Sequence, residues 1–436
     1  MQIDTGDTAF ILVSAALVMF MTPGLALFYG GLVRTKNVLG TIMQSFFALG
    51  LVSVVWFVAG YTLAFGETGN GLVGGLQYLF LVDVGADPAE IAPSIPHTLF
   101  MVYQMMFAII TPALITGAVA ERMRFRGYVV FLGLWSLLVY SPVAHWVWGG
   151  GFIATNIGGL DFAGGTVVHI NAGIAALAAI LYMGKRKGYQ KEPMTPHNIP
   201  MVITGTAILW FGWFGFNAGS SLGSGALAAQ AFLNTHLATA AALLGWLTIE
   251  WIRNKVPTTI GAATGAVAGL VAITPAAGFI ETWASAVLGF TAGVVCYGFV
   301  ALKPKMGFDD SLDVVGVHGV GGLVGALLTG VFATTTINEA GADGLLYGNP
   351  ALLGEQALAV LVTIAYSFTM TLIIIKVVDV LVGVRVAEGD EVTGLDLTQH
   401  AEAGYTTVPS GSIVRATQTE EAPSLKPSTI PATEKG

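Results

Sequence analysis

The stretch Asp161-Phe-Ala-Gly-Gly-Thr-Val-Val-His-Ile-Asn-Ala-Gly173 carries three landmarks that recur once later in the chain. In both copies an Asp precedes a His by eight residues, and a Gly follows that His by four. The second copy consists of Asp310, His318 and Gly322. The spacing alone is a weak signal, so its value depends on what surrounds the two copies.

The composition around them excludes a soluble fold. Of the 436 residues, 54% are hydrophobic and only 10% are charged, whereas soluble domains carry about 25% charged residues. Long apolar stretches recur from Ile11 to Val384, and a helix needs roughly 20 residues to cross a bilayer. The sequence predicts an all-α integral membrane protein with eleven transmembrane helices: 8–33, 41–65, 97–120, 127–147, 164–184, 198–222, 229–252, 258–277, 282–302, 313–336 and 353–384.

Basic residues predict the orientation of these helices. Of the 18 Lys and Arg, 15 lie at every second junction, for example at 185–191, and the other three lie in the C-terminal tail. The junction 66–96 holds acidic residues and no base. Under the positive-inside rule, the N-terminus is outside and the C-terminus is inside. The first helix lacks a basic leader region, so we expect a spanning helix and not a cleaved signal peptide.

An inverted repeat follows from the helix count. Ile110-Thr-Pro-Ala113 recurs as Ile273-Thr-Pro-Ala276, so helices one to five match helices six to ten. Because five is odd, the second copy lies upside down in the membrane, a plan that places transport sites near the midplane. The predicted organisation is therefore a membrane domain 1–385, with repeats at about 8–184 and 198–336 and an eleventh helix at about 353–384. A cytoplasmic segment 386–405 and a disordered, Ser/Thr/Pro-rich tail 406–436 follow.

His169 and His318 are the main candidates for function, because ionisable groups inside a membrane are costly and need partners. A lone buried His is more often a packing residue, but two at equivalent repeat positions favour a shared role. Metal binding is the competing hypothesis. It would need more donors than Asp161, Asp310 and Asp313, and the single Cys296 excludes a cysteine cluster and an intrachain disulfide.

Asp161 has two open interpretations, the capping of its helix and the stabilisation of a bound cation. Among the aromatic residues, Phe107, Trp148, Trp213 and Phe216 stand out, because aromatic rings facing a pathway can hold a small cation by cation–π attraction. The net charge of −8 is spread over loops and tail and suggests no nucleic-acid partner.

Five motifs resemble those of the ammonium transporter (Amt/Mep/Rh) family, and most closely its bacterial and archaeal Amt branch. They are Pro23-Gly-Leu-Ala-Leu-Phe-Tyr-Gly-Gly31, Glu121-Arg-Met-Arg-Phe125, Asp161 to Asn171, Gly212-Trp-Phe-Gly-Phe-Asn-Ala-Gly219 and Asp313-Val-Val-Gly-Val-His-Gly319. The motifs occur in the same order as in the family, and the resemblance covers residues from about 10 to 405.

The resemblance implies a homotrimer with one pore per subunit and the eleventh helix along the outside. It implies an outer ammonium site at Phe107, Trp148 and Ser220, beside Tyr103, where many relatives have Phe. It also implies a gate of stacked phenyl rings, Phe107 and Phe216, above a pore lined by His169 and His318. The supporting wall positions are Asp161, Trp213, Thr274 and Tyr29.

The function that the resemblance implies is transport of ammonium, with methylammonium as a related substrate, across the cell membrane. Ammonium would lose its proton, ammonia would pass an apolar pore, and the histidines would relay the proton, so that net uptake carries charge. Gly394-Leu-Asp-Leu-Thr-Gln-His400 with Tyr405 resembles the family's regulatory motif, which makes PII-type signalling proteins expected partners. No enzyme activity, cofactor or metal is expected. The alternative is a sensor of ammonium with the same fold.

Overall fold

A computed structural model describes residues 2–67 and 70–405 of the chain, and most of them lie in helices. Within these residues, ten helices are long and apolar enough to cross a membrane. In chain order, the helices are α1 Thr5–Leu32, α2 Thr35–Phe65, α3 His97–Val119, α4 Phe125–Val147, α5 Gly165–Met183, α6 Ile199–Gly219, α7 Ala226–Asn254, α8 Thr259–Ile273, α9 Thr282–Met306, α10 Val315–Phe332, α11 Ala351–Val382, α12 Glu388–Thr393 and α13 Leu395–His400. The predicted tail 406–436 lies outside the described residues.

α8 is shorter than the segment 258–277 predicted from sequence. Its N-terminus is capped by the Thr258 hydroxyl, which accepts a hydrogen bond from Gly261 N at 2.9 Å. The helix ends at Ile273 after 15 residues, where Pro275 has no N–H to donate to the preceding turn. With ten long helices in the described ranges and α8 below the usual spanning length, the count of eleven crossings stays a prediction.

The two repeat halves meet along α5 and α10. Each of these helices begins with a π-helical turn, Gly165–Ile170 in α5 and Val315–Gly319 in α10, and each turn carries one of the two histidines. The helices cross at Gly173, where an added Cβ would lie 2.3 Å from Gly319 N. Because only a glycine fits at such a distance, the crossing brings the two backbones into direct contact.

The two ends of the bundle are held by different contacts. At one end, two short strands, β1 (Pro88–Ala89) and β2 (Ala92–Pro96), pair in antiparallel fashion. Asp4 N, just before α1, donates to the carbonyl of Ser94 in β2 at 2.8 Å. At the other end, Lys187 N donates to Glu391 Oε1 at 2.5 Å. The N-terminus and residues 386–400 therefore lie at opposite ends, and which end faces the cytoplasm stays a prediction.

Residues 386–400 pack on the ends of the membrane helices. Leu395 N donates to Asn37 Oδ1 and Gly40 N donates to Asp396 Oδ1, both at 2.8 Å. Arg385 donates to the carbonyl of Met183, the last residue of α5, at 2.7 Å, and it also pairs with Glu391 at 2.9 Å. The segment after α11 is thus anchored to the start of α2 and to the end of α5.

A buried charge network lies beside this segment. Glu121 pairs with Arg34 at 2.8 Å and with Arg186 at 3.0 Å, and Arg186 also pairs with Asp309 at 2.8 Å. Burial opposes ionisation of the Glu121 carboxyl, but the hydrogen bonds from Arg34 and the charge of Arg186 outweigh it and lower the Glu121 pKa. These residues come from four separate connections, so the network ties the helix ends together.

Candidate transport site

A cavity of about 250 Å³ opens where α3 begins and α4 ends. This end of the bundle is predicted to face outward, so we call this space the outer cavity. Its walls include Phe107, Trp148 and Ser220, three of the residues predicted for an outer site. Ser220 Oγ donates to Phe216 O at 2.8 Å, which leaves the lone pairs of that hydroxyl for other donors. Two aromatic faces and a hydroxyl therefore share one small cavity.

Tyr103 lies behind this cavity and is not among the described residues that line it. Its hydroxyl is 2.9 Å from both Gly215 O and Phe216 O, and 3.2 Å from Ser220 Oγ. A hydroxyl so engaged supports the C-terminal turn of α6 that carries Ser220. The structure therefore gives Tyr103 an indirect contact with the predicted site, through Ser220.

Six residues of the cavity wall were not predicted as site residues from sequence: Ile91, Phe100, Gln104, Val147, Phe162 and Leu222. Gln104 lies three residues before Phe107 on α3, so both side chains share a helix face, and this spacing was the available signal. Gln104 Oε1 is buried without a hydrogen-bond partner among the described residues. Phe162 follows Asp161 in an irregular segment, where periodicity gives no signal.

Phe107 and Phe216 close the inner end of the cavity. Their ring centroids lie 4.2 Å apart with an interplanar angle of 38°, and both side chains are buried. Trp148 meets the Phe107 ring edge to face at 5.9 Å. The phenyl pair separates the outer cavity from the space below, so passage requires at least one ring to move.

Below the phenyl pair lies a narrow lumen of about 10 Å³, which is close to the smallest space that holds one water molecule. Apart from His169, His318 and Trp213, its lining is apolar and includes Leu25, Leu114, Val168, Leu209 and Val267. A hydrated ion does not fit in such a space, and the lining offers few groups to replace its water.

The structure brings His169 and His318 together in this lumen. Their Nδ1 atoms lie 3.2 Å apart, and the rings are nearly parallel with centroids at 5.3 Å. Since two nitrogens at this distance share one proton, one Nδ1 donates and the other accepts. The His169 ring stacks on Trp213 at 5.3 Å, and Trp213 Nε1 donates to Thr274 Oγ1 at 2.9 Å. Trp213 and Thr274 thus hold the His169 ring from one side.

The Asp161 carboxylate caps the π-helical start of α5. It accepts four backbone hydrogen bonds, from Gly164 and Gly165 at 2.7 Å and from Thr166 and Val167 at 2.8 and 3.1 Å. The capping interpretation of Asp161 is therefore confirmed by this geometry. The same residue also contacts the outer cavity, because Trp148 Nε1 donates to its carbonyl oxygen at 2.9 Å.

A second cavity, of about 210 Å³, lies on the other side of the histidines and is lined by Tyr29, Thr264, Asp313 and His318. The Tyr29 hydroxyl donates to Leu114 O at 3.0 Å, which fixes the ring at the wall. Outer cavity, phenyl pair, lumen and inner cavity therefore follow one another across the bundle. Within the residues that the structure describes, no group of three His, Cys, Asp or Glu side chains is placed to hold a metal ion.

Together, the long apolar helices and the cavities on both sides of a histidine-lined lumen define a multi-pass membrane protein. Residues 9–405 match the family model described as Ammonium Transporter Family. The chain is 52% identical to the ammonium transporter of Bacillus subtilis (strain 168), over 92% of this chain and 98% of that protein. It belongs to the ammonium transporter family, as its motifs predicted.

Solved structures agree with this assignment. The crystal structure of Candida albicans Mep2 matches with a TM-score of 0.85 and 39% identity, covering 89% of this chain and 88% of that one. A structure titled Sensor Amt Protein matches with a TM-score of 0.83 and 28% identity, covering 91% and 98% of the two chains. The family and these folds support ammonium transport as the general function.

Proposed function

We propose that this protein carries ammonium across the membrane by capturing the cation in the outer cavity and passing ammonia through the lumen. Capture rests on Trp148 and Phe107, whose ring faces attract a small cation, and on the Ser220 hydroxyl, which accepts a hydrogen bond from it. Four N–H donors on ammonium can also use an unpartnered acceptor such as Gln104 Oε1. A potassium ion has no donor to offer these groups.

Between cavity and lumen, one N–H bond of ammonium breaks and its proton passes to the imidazole pair of His169 and His318, which leaves neutral ammonia. An ion inside the apolar part of a membrane protein is costly unless it is paired, and the lumen lining is apolar apart from the histidines and Trp213. Neutral ammonia is small enough for a space of about 10 Å³. In this proposal, Phe107 and Phe216 move to admit it and then close behind it.

The single observation that carries the mechanism is the 3.2 Å contact between the Nδ1 atoms of His169 and His318. Two cationic imidazoles at this distance would repel each other, so the pair holds one shared proton. A pair that accepts a proton on one side and releases it on the other conducts the proton separately from ammonia. Net transport then carries one positive charge for each ammonium taken up.

The test is the current that reconstituted protein produces after a pulse of ammonium. We expect wild type to give a saturable current with ammonium and none with potassium, and the His169→Ala/His318→Ala double variant to lose the ammonium current. His236→Ala is the matched control, because His236 lies beside Trp210 and Phe214 on α6, away from the lumen lining. A folded double variant with wild-type current and unchanged rejection of potassium would contradict the relay.

A sensor is the second candidate, because a structure titled Sensor Amt Protein shares the fold. A sensor would bind ammonium without moving it. Uptake of radiolabelled methylammonium into proteoliposomes separates the two functions: accumulation above that of empty vesicles supports transport, whereas saturable binding without accumulation supports sensing.

We further propose a homotrimer in the cell membrane, with a PII-type protein as a partner on the face that carries residues 386–400. The apolar, exposed surface of the bundle, with Phe211 and Phe232 as examples, is available to lipid or to a second copy of the chain. Native mass spectrometry in detergent checks the stoichiometry, since a mass of one or two chains would contradict the trimer. A pull-down with a purified PII protein checks the partner.

A further inference from the structure

Gln356 on α11 makes three hydrogen bonds from a nearly fully buried position. Its Oε1 accepts from Leu160 N at 2.6 Å, and its Nε2 donates to Leu160 O and to Ala326 O, both at 2.9 Å. The partners are one N–H and two carbonyls, so only one orientation of the amide satisfies all of them. The Gln356 side chain therefore hydrogen-bonds both the backbone N–H and the backbone carbonyl of Leu160, and it links that residue to Ala326 on α10.

Leu160 directly precedes Asp161, which contacts both parts of the candidate transport site. Toward the outer cavity, the Asp161 carbonyl accepts the indole N–H of Trp148 at 2.9 Å. Toward the lumen, the Asp161 carboxylate caps the turn that carries His169. The position of the Leu160–Asp161 backbone thus sets where the Trp148 ring stands.

The packing around Gln356 leaves this backbone little freedom to shift. A Cβ added at Gly159 would lie 2.9 Å from Ala359 Cβ on α11 and 3.4 Å from Gln356 Oε1. A Cβ added at Gly330 on α10 would lie 3.1 Å from Gln356 Cγ. The Gln356 side chain therefore packs between Gly159 and Gly330, and this packing fixes the position of its amide group.

We infer that Gln356 is a positioning residue for the outer ammonium site, acting through Leu160 and Asp161 on Trp148. The inference rests on the proposed function of that site. In this inference, α11 helps to fix the position of the Trp148 ring, which the cation contacts in the outer cavity. A buried amide was needed here because the irregular segment before α5 has no helix or strand partner for its backbone groups.

The test compares Gln356→Met, which keeps the length of the side chain and removes all three hydrogen bonds, with Thr371→Val. Thr371 is a matched control on the same helix, where its hydroxyl accepts the indole N–H of the buried Trp135 at 3.0 Å. Both variants lose buried hydrogen bonds, but only the first loses contact with Leu160. Ammonium-induced current is measured against concentration in proteoliposomes that hold equal amounts of folded protein.

We expect Gln356→Met to raise the apparent KM for ammonium about fivefold while the maximal current stays within about twofold, since a displaced ring weakens binding and leaves the lumen intact. Thr371→Val should lower thermal stability and leave KM unchanged. In a Trp148→Leu background, Gln356→Met should have no additional effect on KM, because the indole ring through which Gln356 affects the cation is absent.

Three results would overturn the inference. They are an unchanged KM in folded Gln356→Met, a KM effect of full size in the Trp148→Leu background, and loss of folded protein in both Gln356→Met and Gln356→Glu while Thr371→Val folds. The last result would assign the amide to the fold alone. A wild-type protein without any saturable ammonium current would instead contradict the proposed function, so the two failures are distinguishable.

Discussion

Replacing Gly173 with alanine should separate the rings of the two histidines without altering either side chain. Gly173 lies where α5 crosses α10, four residues after His169. A Cβ at this position would lie 2.3 Å from Gly319 N, 2.4 Å from Gly319 Cα and 3.0 Å from His318 C. All three are backbone atoms, so no side chain can rotate away and the helices themselves must move.

The size of the effect follows from these distances. Ordinary contacts of a Cβ begin at 3.4 Å, so α10 must retreat by about 1 Å, and overpacking of this kind costs about 1–3 kcal/mol. The Nδ1 atoms of His169 and His318, now 3.2 Å apart, would then lie beyond hydrogen-bond distance. If the shared proton depends on that contact, the ammonium current should fall by more than the loss of folded protein explains.

Gly319→Ala is the matched control, because the nearest atoms to a Cβ there are 3.7 Å away. Its thermal stability in detergent and its current after an ammonium pulse should remain close to those of wild type. Gly173→Ala should melt at a lower temperature and carry less current per folded molecule. Equal currents and melting temperatures in the two variants would refute both the packing argument and its link to the histidine pair.

Three further predictions concern the outer site, the charge network and the C-terminal segment. Trp148→Leu should raise the apparent KM for ammonium about 5- to 30-fold, from a cation–π loss of about 1–2 kcal/mol, and an unchanged saturation curve would contradict the aromatic site. Glu121→Gln should cost about 3 kcal/mol above pH 4.5. Because the folded-state pKa of Glu121 lies below its ordinary value of 4.5, this advantage of wild type should shrink as the pH falls below 4.5, and thermal melting in detergent at several pH values measures it. Deleting 386–405 should change the ammonium current or its regulation, whereas deleting 411–436 should not, and equal effects would remove the distinction between the two segments.

Much of the architecture could be predicted from local patterns in the sequence. Apolar segments and basic junctions locate long helices because the bilayer imposes length and composition directly. The repeat of Asp161 and His169 as Asp310 and His318 indicates a pseudo-twofold relation, and the structure brings the two histidines together. The end of α8 at Ile273 was missed because hydropathy continues through Pro275 although the helix does not.

The contacts between distant segments could not be predicted in the same way. Gln356 reaches Leu160 across 196 positions in sequence, and no periodicity links the two. Tyr103 was predicted beside the outer site, but no spacing in the sequence indicates that its hydroxyl contacts the carbonyls at the end of α6. Both outcomes depend on how irregular segments and helix ends are placed by tertiary packing, which local patterns do not encode.

The two halves of the repeat have equivalent caps but different charges around them. Asp310 accepts backbone hydrogen bonds from Val314 and Val315 at the start of α10, as Asp161 does for α5. At the inner end, however, Lys303 Nζ donates to Asp310 O at 2.7 Å and also contacts Asp313. Burial raises the pKa of Asp310 to about 6, against the opposing charge of Lys303.

At the outer end, the Asp161 carboxylate is compensated by four backbone dipoles and, within the described ranges, by no ion pair. Asp161 contacts the wall of the outer cavity through its carbonyl oxygen, which accepts from Trp148 Nε1, and none of the described residues that line that cavity is charged. The inner cavity, in contrast, is lined by Asp313, whose carboxylate pairs with Lys303. The symmetry of the helices thus supplies the shared position of the histidines, and the few residues that break it make the two cavities chemically different.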